Sequence, residues 1–239
     1  MAKLHKINLS PVMLAHIAGR RDGRLHAIER IDPKRTALVV IDMQNVWVKQ
    51  GGLAYSPYCE GIVPNINRLA ASLRDYGGRV WWVRALYKDD APRTWSAYME
   101  FRSPQFVRAM LAALSDESEA GQLFQGLEVQ PEDRHVVKRR FSAMIQGASD
   151  LHDRLQAEGI DTLIITGTAT NVCCESTARD AFMLNYRTIV VSDGNATASD
   201  EAHNASLSAL MMQFSDVYNT EETIELIKAQ AGSREKRAS

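Results

Sequence analysis

Residues 36–41 read TALVVI, a run of apolar and β-branched side chains with no polar alternation. A strand of this kind is apolar on both faces, so it must be covered from both sides. Short runs of similar character recur at 79–83 (RVWWV), 135–137, 162–166 (TLIIT), 188–191 (TIVV) and 217–218. Between them lie segments with helical spacing. Ile62, Ile66, Leu69 and Leu73 mark a helix over 61–76, which Gly77 and Gly78 stop. Further helices are expected at 104–114, 149–156, 172–184, 200–214 and 221–229. Strands alternating with helices predict an α/β fold, a doubly wound, mainly parallel six-stranded sheet with helices on both faces.

A single domain is expected over 35–230, preceded by an aperiodic arm at 1–34 and followed by a small, charged tail at 231–239 that frays. In the common strand order 3-2-1-4-5-6, the first and fourth strands are neighbours and the winding reverses between them. Ligands of such sheets bind at the carboxyl ends of the strands flanking that reversal. Asp42 and the loop 168–173 should therefore face each other across a pocket.

The charge balance is even, 28 Lys and Arg against 29 Asp and Glu, so neither a nucleic acid nor an anionic membrane is the expected partner. No window resembles a membrane span. The apolar run at 11–18 is broken by His16 and is not read as a signal peptide, and Asp22, Glu29 and Asp32 speak against a transit peptide. The cysteines are Cys59, Cys173 and Cys174, an odd number with two adjacent. That is not a disulfide framework, and it fits a reducing, cytoplasmic compartment.

Asp42 closes the first strand and is a solvated strand end, a helix cap or a proton acceptor. Cys173 opens a helix, where free N–H groups and the helix dipole favour a thiolate, although free cysteine is also a common buried residue. Cys174 lies about 100° further round that helix and is expected in the core. Cys59 reads as structural. Lys138 belongs to the run Lys138-Arg139-Arg140, which by itself suits a solvated face. Beside a thiol, a lysine would instead favour the anion. The six histidines show no metal spacing, and neither a phosphate loop nor a serine nucleophile elbow is present.

Three separated segments add to these single residues: ALVVIDMQNVWVKQGG at 37–52, VVKRRFSAM at 136–144 and ITGTATNVCCESTARDAF at 165–182. Together they resemble the isochorismatase-like cysteine hydrolase superfamily over about 35–228, with the closest look to its ureidoacrylate and N-carbamoyl amidohydrolase branch. The resemblance implies a Rossmann-like three-layer fold, with Asp42 as acid/base, Lys138 as its lysine and Cys173 as nucleophile. It also implies a cis peptide between Thr168 and Ala169, an oxyanion hole from the N–H groups of Ala169 and Cys173, and a substrate-packing aromatic at Trp47.

The metal-binding branch carries an Asp-x-His motif that LYKDDAPRTW at 86–95 lacks, so no metal and no cofactor are carried over. The implied reaction is cleavage of a C–N bond in a small amide, carbamoyl or ureido compound through a thioester. A hydrolase of another bond such as an ester, a non-catalytic binding member and a thiol-redox role for the cysteine pair stay open beside it. Specificity is expected to lie in 84–130, the least regular part of the chain. A homo-oligomer, dimer or tetramer, is expected from the family and from an arm too poor in apolar periodicity to make its own core.

Overall fold

The computed structural model describes residues 2–88 and 90–229. Six parallel strands form one sheet in the order β3-β2-β1-β4-β5-β6. They are β1 (Thr36–Ile41), β2 (Arg79–Ala85), β3 (Arg134–Lys138), β4 (Thr162–Thr168), β5 (Arg187–Ala196) and β6 (Asp216–Tyr218). The helices, in chain order, are α1 (Pro11–Arg20), α2 (Asn45–Val48), α3 (Pro57–Gly61), α4 (Val63–Asp75), α5 (Ala91–Thr94), α6 (Ser96–Glu100), α7 (Pro104–Ala113), α8 (Leu151–Ala157), α9 (Glu175–Met183), α10 (Asp200–Gln213) and α11 (Thr220–Ala229). The expected α/β doubly wound class and the reversal between β1 and β4 are both present. The expected tail at 231–239 lies outside the described residues.

Every residue of β1 is buried, which is why its sequence lacks alternation. Ala37, Val39 and Ile41 face a core closed by α8, α9 and α10, with Leu151, Leu155, Ala178, Ala181, Leu207 and Leu210. Leu38 and Val40 face the opposite core, built on Ile66, Leu69 and Leu73 of α4 and Ile224 and Ile227 of α11. Each of the Val, Leu and Ile side chains contributes on the order of 1.5–3 kcal/mol by leaving water.

β5 is longer than its apolar run suggested. It continues through the polar residues 192–195 because the Asn195 amide donates to the carbonyls of Ile165 (2.8 Å) and Val191 (2.7 Å). These bonds stitch β5 to β4 across the register irregularity between Ile165 and Gly167.

The arm contains structure that the sequence did not announce. α1 begins at the Ser10 cap and Pro11, and buries Ile17 in the α10 side of the core. Arg21 then bonds Asp216 at 2.7 Å, the Ile28 N–H donates to Asp216 at 2.6 Å, and Tyr218 donates to the Ile28 carbonyl at 2.8 Å. The arm thus runs past the open edge of β6, and Ile28 and Ile31 reach the α4–α11 core. Its support is its own chain. The expected homo-oligomer accordingly rests on the family resemblance and not on an unsupported arm.

Gly167 fixes the seam where β1 and β4 end. Its φ is +117°, and a Cβ there would lie 2.0 Å from the Ile41 carbonyl oxygen. No rearrangement of a side chain can relieve a clash with strand backbone. Gly167→Ala is therefore expected to destabilise the fold by about 3 kcal/mol or more, read from the midpoint of urea unfolding.

Candidate active site

Three strand ends bring the polar cluster together. Asp42 follows β1 with φ +55°, a left-handed conformation that aspartate tolerates and that turns the chain off the strand. Its own N–H is held by the Val83 carbonyl of β2 at 2.8 Å. Lys138 ends β3, two strands away. The residue paired with it on the intervening strand is the small Ala85, so its side chain lies over the end of β2 and reaches Asp42. Cys173 sits after β4, within a π-helical turn over Thr170–Cys174 that leads into α9.

In this turn the N–H groups of Val172 and Cys174 both donate to the Ala169 carbonyl, at 3.0 and 3.2 Å. The peptide Thr168–Ala169 is cis, as the resemblance implied.

The Lys138 Nζ lies 2.8 Å from Asp42 Oδ2 and 3.3 Å from Cys173 Sγ, and donates to the Arg140 carbonyl at 3.1 Å. Side-chain exposure is 0 % for Lys138 and 1 % for Asp42, so both charges are out of water. Lys138 is therefore not on a solvated face, which is how its basic run reads in isolation.

Burial sets the electrostatics. It pushes Asp42 above the ordinary carboxylate value, against the pull of Lys138 and of the Cys173 thiol. Burial, reinforced by the Asp42 charge, pushes Cys173 up to about 12, with Lys138 pulling the other way. Lys138 is held above its ordinary value, because the attraction of Asp42 and Cys173 outweighs its own desolvation. One lysine compensates one negative charge. A second ionisation would leave a net buried anion, so Asp42 and Cys173 together retain one proton across the neutral range. Desolvation thus opposes the thiolate that the helix start favours.

The cluster opens into a cavity of ≈ 180 Å³. Asp42, Thr168, Ala169 and Cys173 line it, and so does Trp47, the aromatic the resemblance had singled out. The rest of the wall is Ala54, Ala85, Tyr87, Tyr98, Arg102, Phe106, Met110, Leu114, Phe141 and Val172. Seven of these ten fall within 84–130, where specificity was expected. Trp95 stacks on Tyr98 (4.6 Å between centroids) and meets Phe141 edge-on (4.8 Å). Arg140 lies over the Trp95 ring and donates to the Thr94 carbonyl. None of these aromatics was assigned from sequence. Their crowding in an aperiodic stretch was the available signal.

The other cysteines support the site without entering it. Cys174 is fully buried in the α8–α10 core. Cys59 is buried on α3, with its sulfur 3.2 Å from Thr168 Oγ1 beside the cis peptide. Sequence reasoning also missed His203 on α10, whose ring nitrogens meet Thr170 Oγ1 at 2.8 Å and the Ser192 carbonyl at 2.9 Å. Among the described residues, no three His, Cys, Asp or Glu side chains are grouped as a metal site requires, and no helix is long and apolar enough to cross a membrane.

The chain is similar to several known proteins. The uncharacterized isochorismatase family protein YwoC of Bacillus subtilis is 32% identical over 201 residues, covering 83% of this chain and 97% of that protein. The ureidoacrylate amidohydrolase RutB of Pseudomonas savastanoi pv. phaseolicola is 34% identical over 194 residues, covering 74% of this chain and 78% of that protein. The crystal structure of a cysteine hydrolase from Pseudomonas syringae pv. phaseolicola superposes with a TM-score of 0.73 at 29% identity, covering 83% of this chain and 95% of that one. The isochorismatase domain matches residues 36–222, a span that takes in Asp42, Lys138 and Cys173, and the chain belongs to the isochorismatase family of hydrolases.

Proposed function

We propose that the protein is a cysteine amidohydrolase that cleaves a C–N bond in a small amide, carbamoyl or ureido compound. The observation that carries this reading is the buried triad, with Lys138 2.8 Å from Asp42 and 3.3 Å from Cys173, and with Asp42 and Cys173 lining a cavity. A fully buried lysine–aspartate pair is costly to desolvate. Placed against a thiol, it is an arrangement suited to moving one proton.

Asp42 takes the thiol proton as sulfur attacks the carbonyl carbon, and the C–S bond forms. Lys138 compensates the charge of the nascent thiolate. The N–H groups of Ala169 and Cys173 are assigned to the carbonyl oxygen as it becomes an oxyanion. Asp42 then delivers its proton to the nitrogen, the C–N bond breaks, and ammonia or an amine leaves a thioester on Cys173. Water enters, gives a proton to Asp42 and cleaves the thioester. The carboxylic acid departs and the proton returns to sulfur.

The cavity adds a substrate class. At ≈ 180 Å³ it takes a small compound. Its aromatic wall suits a flat or apolar body, and Trp47 is assigned to pack on it. The similarity to RutB supports a carbamoyl or ureido head group, since that relative is a ureidoacrylate amidohydrolase.

An ammonia-release screen over nicotinamide, carbamoylated amino acids, ureido acids, biuret and maleamate tests the activity. At least one of these should be hydrolysed. Cys173→Ala should abolish turnover and Cys174→Ala largely spare it, because only the first sulfur reaches the cavity. Full activity in Cys173→Ala would refute the assignment.

The pH–rate profile is expected to be bell-shaped. Catalysis needs Asp42 ionised while the pair still holds the thiol proton. The acid limb should therefore lie above the ordinary carboxylate value of 3.8, because Asp42 is raised. The alkaline limb should lie above the ordinary thiol value of 9.0, because Cys173 is raised as well. Asp42→Asn should lower the acylation rate by ~10²-fold or more in single-turnover kinetics.

Lys138→Met leaves Asp42 buried and unpaired, which should cost ~3–5 kcal/mol of stability. Asp42→Asn combined with Lys138→Met removes both charges and should recover part of that loss in urea unfolding. Strictly additive losses would mean that the pair is not coupled.

A further inference from the structure

The segment 3–8 lies outside the family match at 36–222, yet it is fastened to elements that hold the turn carrying the nucleophile. His5 is the centre of the attachment. Its Nδ1 lies 2.7 Å from Asp200 Oδ1, and its Nε2 accepts from the Thr197 N–H at 3.1 Å. A backbone N–H can only donate, so Nε2 is the bare nitrogen and Nδ1 carries the proton to Asp200. The ring is stacked between Tyr58 at 3.8 Å and His203 at 4.2 Å.

His203 has an equally determined tautomer. Its Nε2 donates to the Ser192 carbonyl, so its Nδ1 accepts from the Thr170 hydroxyl. Burial holds His203 down at about 4, which keeps that nitrogen free to accept at neutral pH. Ser206 donates to the Thr170 carbonyl at 3.3 Å, and Thr197 donates to the Asn171 side chain at 2.6 Å. The two residues opening the Cys173 turn are thus gripped by the same two elements that His5 grips, α10 and the end of β5.

The arm cannot sit elsewhere cheaply. Asn204 holds both its strands of contact, accepting from the Asn8 N–H at 2.6 Å and donating to the Lys6 carbonyl at 2.8 Å. The Lys3 N–H donates to the Pro57 carbonyl at 3.1 Å. At Gly61 the approach is so close that a Cβ would lie 2.1 Å from the Lys3 carbonyl oxygen. A second cavity, ≈ 420 Å³, lies beside the arm and is lined by Lys3, Tyr58 and Thr197 together with Trp47, Thr168 and Ala169 of the catalytic wall.

We propose that His5 is a positioning residue of the active site, holding the Thr170–Cys174 turn through Thr197 and the His203 ring so that Cys173 meets Lys138 and Asp42. The arm is then part of the catalytic apparatus, although the hydrolase domain as matched begins 31 residues later, at residue 36 against residue 5.

The test reads the reactivity of Cys173 directly in the full chain. Iodoacetamide alkylation of that residue is followed by peptide mass spectrometry across pH in four chains: wild type, His5→Phe, His5→Gln and Arg21→Ala. His5→Phe keeps a ring in the stack but loses both hydrogen bonds. His5→Gln restores a donor and an acceptor. Arg21→Ala removes arm contacts to Asp216 of β6 and to the Met211 carbonyl at the far end of α10, and controls for loosening of the arm as a whole.

The expected result is that His5→Phe changes the alkylation rate by about 10-fold, the scale of one or two lost hydrogen bonds. His5→Gln should lie within about 3-fold of wild type, and Arg21→Ala should match wild type even where its thermal midpoint falls. Wild-type alkylation in His5→Phe would overturn the proposal, as would an equal change in Arg21→Ala. Because alkylation is read without a substrate, this outcome is separable from success or failure of the amide screen.

Discussion

The charge pair between Asp42 and Lys138 is the constraint around which the rest is arranged. Two opposite charges with almost no exposure are tolerated only when their geometry is fixed by the surroundings. That fixing comes from the sheet. β1, β2 and β3 are in register, so Asp42, Ala85 and Lys138 lie at neighbouring carboxyl ends. Gly167 lets β4 approach Ile41 closely, and the turn that follows delivers the Cys173 sulfur to the same lysine. The same desolvation that makes the pair costly favours a proton on the Asp42–Cys173 couple, and this is the proton that the proposed chemistry uses.

Much of this was legible in the sequence because it depends on short, local signals. TALVVI, TLIIT and TIVV are buried strands and look like it. The strand order comes from the common doubly wound class and is not read from any residue. Asp42 and Cys173 could be paired across a pocket because strand ends at a winding reversal converge. Lys138 was harder. Its run with Arg139 and Arg140 has the composition of a surface, and only its position at the end of β3 takes it inside.

What escaped the sequence depends on contacts between distant segments. Asn195 and the polar end of β5 look like a loop until the carbonyls of Ile165 and Val191 are seen to need donors. His5 and His203 are 198 positions apart, and neither has a motif. Each is explained by a hydrogen bond whose partner no periodicity reveals. The arm reads as aperiodic because it follows the contours of α10, β6 and the sheet edge rather than making a core of its own. The wall of the cavity is irregular for a related reason. Tyr87, Tyr98, Phe106 and Phe141 serve the cavity wall and not a regular packing face.

The central claim is that Cys173 forms a covalent acyl intermediate while Asp42 carries the proton. Intact-mass spectrometry of chain rapidly quenched in acid during turnover of a hydrolysed amide measures this directly. The account predicts a mass increase equal to the acyl group, mapped by peptide digestion to Cys173, absent in Cys173→Ala and much slower to form in Asp42→Asn. Turnover with no adduct on Cys173, or an adduct that forms at the wild-type rate in Asp42→Asn, would contradict it.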